Sequence, residues 1–162
     1  MPLLLLDEPH LAPASFGRNA QAHVHIQRTW RDDAGPWGWS PSRTPRGGYR
    51  EFGVPALGIR GYPDDVIAPY AAALALLVEP AAAAENLRRL AALDGLYGEF
   101  GFYDAVEANS GRVARAYLAL DQAMTLIALA NQLENGVVQE YFAADPVVRA
   151  VVPLLARERF FE

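Results

Sequence analysis

Apolar residues recur at helical spacing in three segments of the first half of the chain. The spacing predicts a helix over residues 19–32, where no Pro or Gly interrupts the pattern. A second helix is predicted over residues 70–79, with Pro69 in the first turn, where Pro is tolerated. Because nearly all its residues are apolar, this helix should be buried on most faces. Pro80 opens a third helix, whose strong helix formers fill residues 81–93.

The second half continues with three more helical segments. A long helix is predicted over residues 113–135, and Gly136 is a typical C-terminal stop. Helical character resumes over residues 137–144. The last helix is predicted over residues 147–159, because Asp145 and the Pro after it form a good N-terminal cap and first position.

Two long stretches between these helices lack any helical period. Residues 35–63 are rich in Gly, Pro and aromatic residues, and residues 95–111 mix Gly and aromatic residues with Glu99, Asp104 and Glu107. Long loops in a compact domain are usually functional. We therefore expect the function to lie in these two loops.

The chain shows no sustained alternation of apolar and polar residues of the kind a half-buried strand requires. A sheet of any size is not expected. The predicted class is all-α, with about six helices in one domain that spans residues 1–162, a length typical of single domains.

The amino-acid composition excludes several kinds of functional site. The 162 residues are 52% hydrophobic, which is enough for a normal core, and carry a formal net charge of -5. The sequence has no Cys, which excludes disulfides, thiolate nucleophiles and Cys-based zinc sites. His23 and His25 lie two apart, which on a helix points them to different faces, so no metal site is expected. No cofactor is expected either.

Charge and patterning also limit the partners and the location. An acidic balance without basic runs argues against a nucleic-acid partner, and no apolar run is long enough to span a membrane. The short Leu run at residues 3–6 is uncharged and soon broken, so it is not a secretory signal. The chain is expected in the cytoplasm as it stands, and outside the cell if the full-length protein has an N-terminal extension.

Three segments of the sequence carry recognisable motifs, and their order and spacing resemble one known family. This family is the glucoamylase-like (glycoamylase) domain of bacterial proteins that act on β-1,2-glucan, which includes endo-β-1,2-glucanases and a domain of cyclic β-1,2-glucan synthases. The segments are Trp37-Gly38-Trp39-Ser40 with the Tyr-Arg-Glu-Phe-Gly-Val-Pro motif at residues 49–55, the Tyr-Gly-Glu-Phe-Gly-Phe-Tyr-Asp motif at residues 97–104, and residues 117–124.

The resemblance implies an (α/α)6 toroid around a glucan-binding cleft. The toroid of this family needs about twice as many helices as this chain has, so the chain resembles the C-terminal half of the domain. Two residues depart from the family pattern: Arg43, where many relatives have an acidic or small residue, and Ala123, where Gly is usual.

Glycoside cleavage requires a carboxylic acid that protonates the leaving oxygen and a second carboxylate. The candidates are Asp104, which follows two aromatic residues, and Asp121, which lies inside an apolar helix where a charge is costly. The alternative for Asp104 is a structural brace of its loop. The alternative for Asp121 is a pair with Arg112, Arg115 or a loop amide.

The remaining candidates would bind the sugar. Glu51 is a second carboxylate or a hydrogen-bond partner of sugar hydroxyls, and Gln122 adjoins Asp121, whereas Glu99 is expected to be solvated. Flat aromatic rings stack on the C–H face of a pyranose, although a buried aromatic more often belongs to the core. The aromatic candidates are Trp37, Trp39, Tyr49, Phe102 and Tyr103.

The sequence therefore predicts a glycoside hydrolase-like domain that acts by carboxylate acid/base catalysis on an uncharged β-linked glucan. The β-1,2 linkage comes only from the resemblance. The alternative is a non-catalytic carbohydrate-binding or degenerate half-barrel module. Because a half-toroid exposes apolar residues that would pack on its other half, self-association or contact with the missing half is also expected.

Overall fold

A computed structural model describes residues 7–31, 35–58 and 65–159 of the chain. The predictions on the Leu run at residues 3–6 lie outside these residues, as do those on residue 32 of the first predicted helix and on residues 59–63 of the first loop. Seven α-helices occur in the described part: α1 Glu8–Leu11, α2 Arg18–Thr29, α3 Pro69–Leu74, α4 Pro80–Ala91, α5 Ala119–Leu133, α6 Val137–Ala144 and α7 Pro146–Leu155. A π-helical turn covers Pro13–Gly17, and 3-10 turns cover Pro55–Leu57 and Ala75–Leu77.

Seven very short strands accompany the helices. They are β1 Ser42–Arg43, β2 Tyr49–Arg50, β3 Val66–Ile67, β4 Tyr97–Gly98, β5 Gly101–Phe102, β6 Ala105–Glu107 and β7 Val113–Ala114. Strands β1 and β2 form one antiparallel hairpin and β4 and β5 form another, whereas β3, β6 and β7 form a three-stranded antiparallel sheet in the order β3-β6-β7. Strands of two or three residues are too short to show an alternating pattern, so the mainly helical class is confirmed although these small sheets were not expected.

The core is built around α3. Every residue of α3 is buried, and the helix packs against α4 and α5. The apolar composition that predicted a helix buried on most faces is thus confirmed, although the α-helix ends at Leu74 and continues as the 3-10 turn Ala75–Leu77. Among the described residues, no helix is both long and apolar enough to cross a membrane.

The predicted start of the long helix is wrong. The helix expected over residues 113–135 begins at Ala119, because Val113 and Ala114 pair with β6 and Leu118 is still extended, at φ -90° and ψ 126°. The residues ahead of α5 form backbone hydrogen bonds with the β6 segment in place of an extra helical turn. This sheet ties the second loop to the start of α5.

The first loop is fixed to the helices by two buried amide side chains. Gln27 of α2 accepts from the backbone N–H of Trp39 and donates to its carbonyl, both at 2.8 Å. Asn86 of α4 bonds both backbone groups of Trp37 in the same way, at 3.1 and 2.8 Å. Gly38 lies between them at φ +131°, where an added Cβ would come within 3.1 Å of the Ala68 carbonyl oxygen. Two buried amides and a glycine therefore hold this loop on the core.

Candidate active site

The β1–β2 hairpin forms one wall of the site. Its tip is closed by the Thr44 N–H, which donates to the Gly48 carbonyl at 3.0 Å, and by the Thr44 hydroxyl, which donates to the Gly47 carbonyl at 2.7 Å. The Arg46 guanidinium at the tip lies 3.5 Å from the Glu107 carboxylate of β6. The hairpin is therefore attached to the second loop as well as to its own strands.

Asp104 lies between β5 and β6 and braces this hairpin. Its Oδ2 accepts from the backbone N–H of Arg43 at 2.6 Å, and its own N–H donates to the Ala116 carbonyl at 3.0 Å. The side chain is buried, with 2% of the residue exposed. Asp104 thus joins the first loop, the second loop and the segment before α5.

Asp121 lies beside Asp104, in the first turn of α5, and is 3% exposed. Burial, followed by a hydrogen bond to the Asp104 side chain and by its charge, raises the pKa of Asp121 from 3.8 to about 8. Among the described residues, no other donor reaches the buried Oδ1 of Asp104 or Oδ2 of Asp121. Two ionised carboxylates cannot hydrogen-bond to each other, so a proton on Asp121 supplies the missing donor. The raised pKa therefore favours the protonated form of Asp121 at neutral pH.

Two tyrosines adjoin the Asp104–Asp121 pair. The Tyr70 hydroxyl of α3 is buried, 2.7 Å from Ser40 Oγ and 2.9 Å from the Pro41 carbonyl. Burial raises the pKa of Tyr70 well above its ordinary value, and the two Asp carboxyls raise it further. Tyr49 of β2 is 55% exposed, and burial, then Asp121, Asp104 and Glu51, raise its pKa. A buried and an exposed phenol thus lie within electrostatic range of the two carboxyls.

Other candidates surround a separate groove of about 420 Å³ between α4, the β4–β5 hairpin and α5. Phe102 and Gln122 line this groove together with exposed Tyr97 and Phe100. The Gln122 amide donates to the Phe102 carbonyl at 3.0 Å, which fixes α5 against the hairpin. Gln122 follows Asp121 on α5, but neither Asp121 nor Asp104 lines this groove.

Trp37 and Trp39 are largely buried, although Trp39 also lines a small cavity between α2 and the first loop. They are 8% and 4% exposed and belong to the hydrophobic core. The Trp39 indole N–H donates to the Asp65 carboxylate at 2.6 Å. The expectation that these rings contact sugar conflicts with their burial, because the faces that would stack on a pyranose are covered by protein.

The remaining candidates are placed at the edges of the site. Tyr103 is half-buried and stacks on Tyr117, with ring centroids 4.7 Å apart. Glu51 follows β2 and is exposed, and Glu99 is exposed as predicted. Tyr49 therefore lies within electrostatic range of Asp104, Asp121 and Glu51, whereas Tyr103 packs in the aromatic cluster of the second loop.

The structure bears on one alternative for Asp121, a pair with an arginine. Arg112 pairs with Glu107 at 2.7 Å, and the Arg115 guanidinium lies 6.0 Å from the centre of the Tyr103 ring, so within the described ranges neither arginine pairs with Asp121. The sequence analysis missed two contributors, the Arg43 amide and the Tyr70 hydroxyl. A main-chain donor leaves no signature in a sequence, and Tyr70 lies in a run of apolar residues that indicates only a core helix.

Residues 14–146 match the family of glycoamylases, described as putative glucoamylase. The cyclic β-(1,2)-glucan synthase NdvB of Rhizobium meliloti (strain 1021) is 42% identical over 117 residues, and the match covers 66% of this chain and 4% of that protein. The chain therefore spans a small part of this relative.

Two solved structures are similar to this fold. The endo-β-1,2-glucanase of Chitinophaga pinensis superposes with a TM-score of 0.70 at 24% identity, over 86% of this chain and 35% of that one. The β-1,2-glucanase of Parabacteroides distasonis gives a TM-score of 0.76 at 21% identity, over 95% of this chain and 23% of that one. These likenesses confirm that the helices form part of a glucoamylase-like toroid, about a third or less of the length of either structure.

Proposed function

We propose that this chain, which belongs to the glycoamylase family, forms part of a domain that cleaves an uncharged β-linked glucan. The proposed linkage is β-1,2. The linkage follows the names of the synthase and the two glucanases described above. The observation that carries the proposal is the buried Asp104–Asp121 pair, in which burial and Asp104 raise the pKa of Asp121 to about 8, within electrostatic range of the exposed Tyr49.

A carboxyl that stays protonated near neutral pH is what a general acid requires, because it must give a proton to the departing sugar oxygen. Asp121 meets this requirement through burial and its hydrogen bond to Asp104. In this proposal Asp121 supplies the proton. Asp104 holds it in place and is itself held by the Arg43 amide.

The two aspartates act as one unit rather than as the two opposed carboxylates expected from the sequence. Carboxyls that flank a scissile bond are about 5–5.5 Å apart in retaining enzymes and about 6.5–9.5 Å apart in inverting enzymes. Two carboxyls joined by a hydrogen bond are closer than either range and leave no room for a sugar ring or water between them. We therefore assign the second carboxylate to Glu51, which is exposed on the same hairpin as Tyr49.

The groove between α4, the β4–β5 hairpin and α5 supplies a surface for glucose units. Phe102 and the exposed rings of Tyr97 and Phe100 offer apolar faces, and Gln122 is the amide at its edge. Aromatic faces with a few polar groups suit an uncharged sugar. We assign Trp37 and Trp39 the role of supporting the hairpin from within the core.

The test uses the full-length protein that carries this chain, with Asp121→Asn, Asp104→Asn and the control Asp94→Asn. Asp94 is an exposed aspartate in the turn after α4. The substrates are β-1,2-, β-1,3- and β-1,4-glucans and an α-1,4-glucan, with products resolved by size. We expect shortened products from β-1,2-glucan, a loss of about 10²–10⁴-fold in kcat/KM for Asp121→Asn, and no change for the control. Cleavage that survives in both site variants would refute the assignment.

A non-catalytic carbohydrate-binding module is the second candidate. It is favoured by the burial of both aspartates, at 2% and 3% exposure, since a substrate cannot touch either one directly in this conformation. The same assays separate the candidates: retained glucan binding, measured by calorimetry, without product formation by the unaltered protein would support the module and contradict the enzyme.

A further inference from the structure

Arg43 and Tyr49 lie side by side on the outer face of the β1–β2 hairpin. The Thr44 N–H donates to the Gly48 carbonyl at 3.0 Å, and hydrogen-bonded and non-hydrogen-bonded pairs alternate along an antiparallel ladder. The next pair, Arg43 and Tyr49, is therefore non-hydrogen-bonded, with Cα atoms about 4.5 Å apart and adjacent side chains. Ser42 and Thr44 are buried on the other face of β1, so the face of Arg43 and Tyr49 points away from the core.

Both side chains are available for a ligand. Arg43 is exposed, and within the described ranges its guanidinium has no ion pair and no hydrogen bond, whereas the Arg46 guanidinium lies 3.5 Å from the Glu107 carboxylate. Tyr49 is 55% exposed, and no described residue forms a hydrogen bond with its hydroxyl. A cation with several donors thus lies beside an exposed aromatic ring.

The backbone of Arg43 places this face at the edge of the Asp104–Asp121 pair. The Arg43 N–H points away from β2 and donates to Asp104 Oδ2 at 2.6 Å. Since the N–Cα bond is about 1.46 Å long, the Arg43 Cα lies within about 4 Å of this carboxylate oxygen. A molecule that contacts the Arg43 side chain is therefore within one side-chain length of the proposed acid.

The hydroxyl pattern of a glucan depends on its linkage. An internal β-1,2-linked unit uses O1 and O2 in its linkages and keeps free hydroxyls at O3 and O4, on neighbouring carbons. An internal β-1,3-linked unit keeps O2, O4 and O6, no two of which are on neighbouring carbons. The planar guanidinium presents its donors as a rigid fork, which suits two adjacent acceptors better than two separate ones.

We infer that Arg43 is a specificity-determining residue that donates to the adjacent O3 and O4 hydroxyls of a β-1,2-linked unit while the sugar ring stacks on Tyr49. The inference rests on the proposed function and adds a basis for discrimination against the β-1,3 linkage. An aromatic ring contacts the apolar face of a sugar, and the hydroxyls lie at the rim of that sugar, where a neighbouring guanidinium reaches them.

Arg43→Met tests the contact, because it removes the guanidinium and leaves the backbone N–H that binds Asp104. Arg43→Lys keeps the charge without the fork. Arg157→Met is the matched control, since Arg157 is also exposed and has no side-chain partner among the described residues. Binding of long, soluble β-1,2- and β-1,3-glucans is measured by calorimetry in the full-length protein. The reference and every variant also carry Asp121→Asn, so that the glucan is not consumed during the titration.

We expect Arg43→Met to weaken the binding of β-1,2-glucan by about tenfold, a size typical of a lost charge-assisted hydrogen bond, and to change the binding of β-1,3-glucan less than about twofold. Arg43→Lys should stay at least about threefold weaker than the reference on β-1,2-glucan, and Arg157→Met should change neither affinity.

Three results would overturn the inference: no effect of Arg43→Met, equal losses on both glucans, or full affinity in Arg43→Lys, which would show that charge alone makes the contact. If the reference binds neither glucan and the protein with Asp121 intact cleaves neither, the proposed function itself fails, which is a separate result from these three.

Discussion

Asp121→Asn should make the protein more resistant to alkaline pH. In the folded protein the pKa of Asp121 is raised to about 8, whereas in the unfolded chain the carboxyl loses its proton near the ordinary pKa of 3.8. Between these two values the folded state binds more protons than the unfolded state. The stability of the unaltered protein must therefore fall as pH rises through this window. Asparagine cannot ionise, and its amide can donate to Asp104 in place of the carboxyl proton.

The size of the effect follows from the shift in pKa. One pKa unit corresponds to about 1.4 kcal/mol. Ionisation of Asp121 in the unfolded chain therefore lowers the free energy of unfolding by at most about 4 kcal/mol between pH 5 and pH 8. His23, whose pKa is lowered by burial to about 4, contributes the opposite slope below its ordinary pKa of 6.5. Both proteins contain His23, so its contribution cancels when their stabilities are subtracted.

Urea unfolding at pH 5, 6.5 and 8 measures this difference. We expect the free energy of unfolding of Asp121→Asn, minus that of the unaltered protein, to increase steadily with pH by up to about 4 kcal/mol. Asp94→Asn provides the reference for an exposed aspartate and should give a difference near zero at each pH. A difference for Asp121→Asn that does not change with pH would show that the pair does not hold a proton, and would remove the basis of the proposed acid.

Three further predictions concern packing, capping and association. Gly98→Ala should lower the free energy of unfolding by about 1–3 kcal/mol, because the new Cβ would lie 2.5 Å from the Tyr117 hydroxyl and 2.8 Å from the Tyr103 ring; unchanged urea unfolding would contradict it. Asn131→Ala should cost about 1 kcal/mol, since Oδ1 accepts from two backbone N–H groups at the start of α6, and Asn131→Asp should keep most of this stability in the same assay. The chain alone should self-associate through exposed apolar positions of α5 such as Leu126, which is 68% exposed, and Leu126→Gln should weaken this association in light scattering after size exclusion. A monomer at every concentration would contradict the last prediction.

The helix starts could be predicted because proline marks them locally. Helices α3, α4 and α7 begin at Pro69, Pro80 and Pro146, which the sequence places at these positions. The start of α5 could not be predicted in this way. Residues 113–118 contain no breaker, and they are extended because of pairing with β6, a contact that a local pattern does not contain.

The sequence predicted which residues belong to the candidate site better than it predicted how they are arranged. The resemblance pointed to Asp104 and Asp121, which the structure brings together, but their hydrogen bond depends on how α5 approaches the second loop. Trp37 and Trp39 show that local composition does not predict whether an aromatic ring is buried. An aromatic residue in a glycine-rich loop has the same pattern whether it contacts sugar or the core, and the side chains of Gln27 and Asn86 that draw these residues inward lie on distant helices.

The bond from the Arg43 amide to Asp104 has a practical consequence for spectroscopy. Because the main chain makes this contact and the Arg43 side chain is exposed, an altered side chain at this position leaves the hydrogen-bonding atoms in place. The sequence has no cysteine, so Arg43→Cys would accept a single nitroxide or fluorophore without background labelling. Such a reporter would follow the motion of the hairpin over the acid pair in real time as sugar is added.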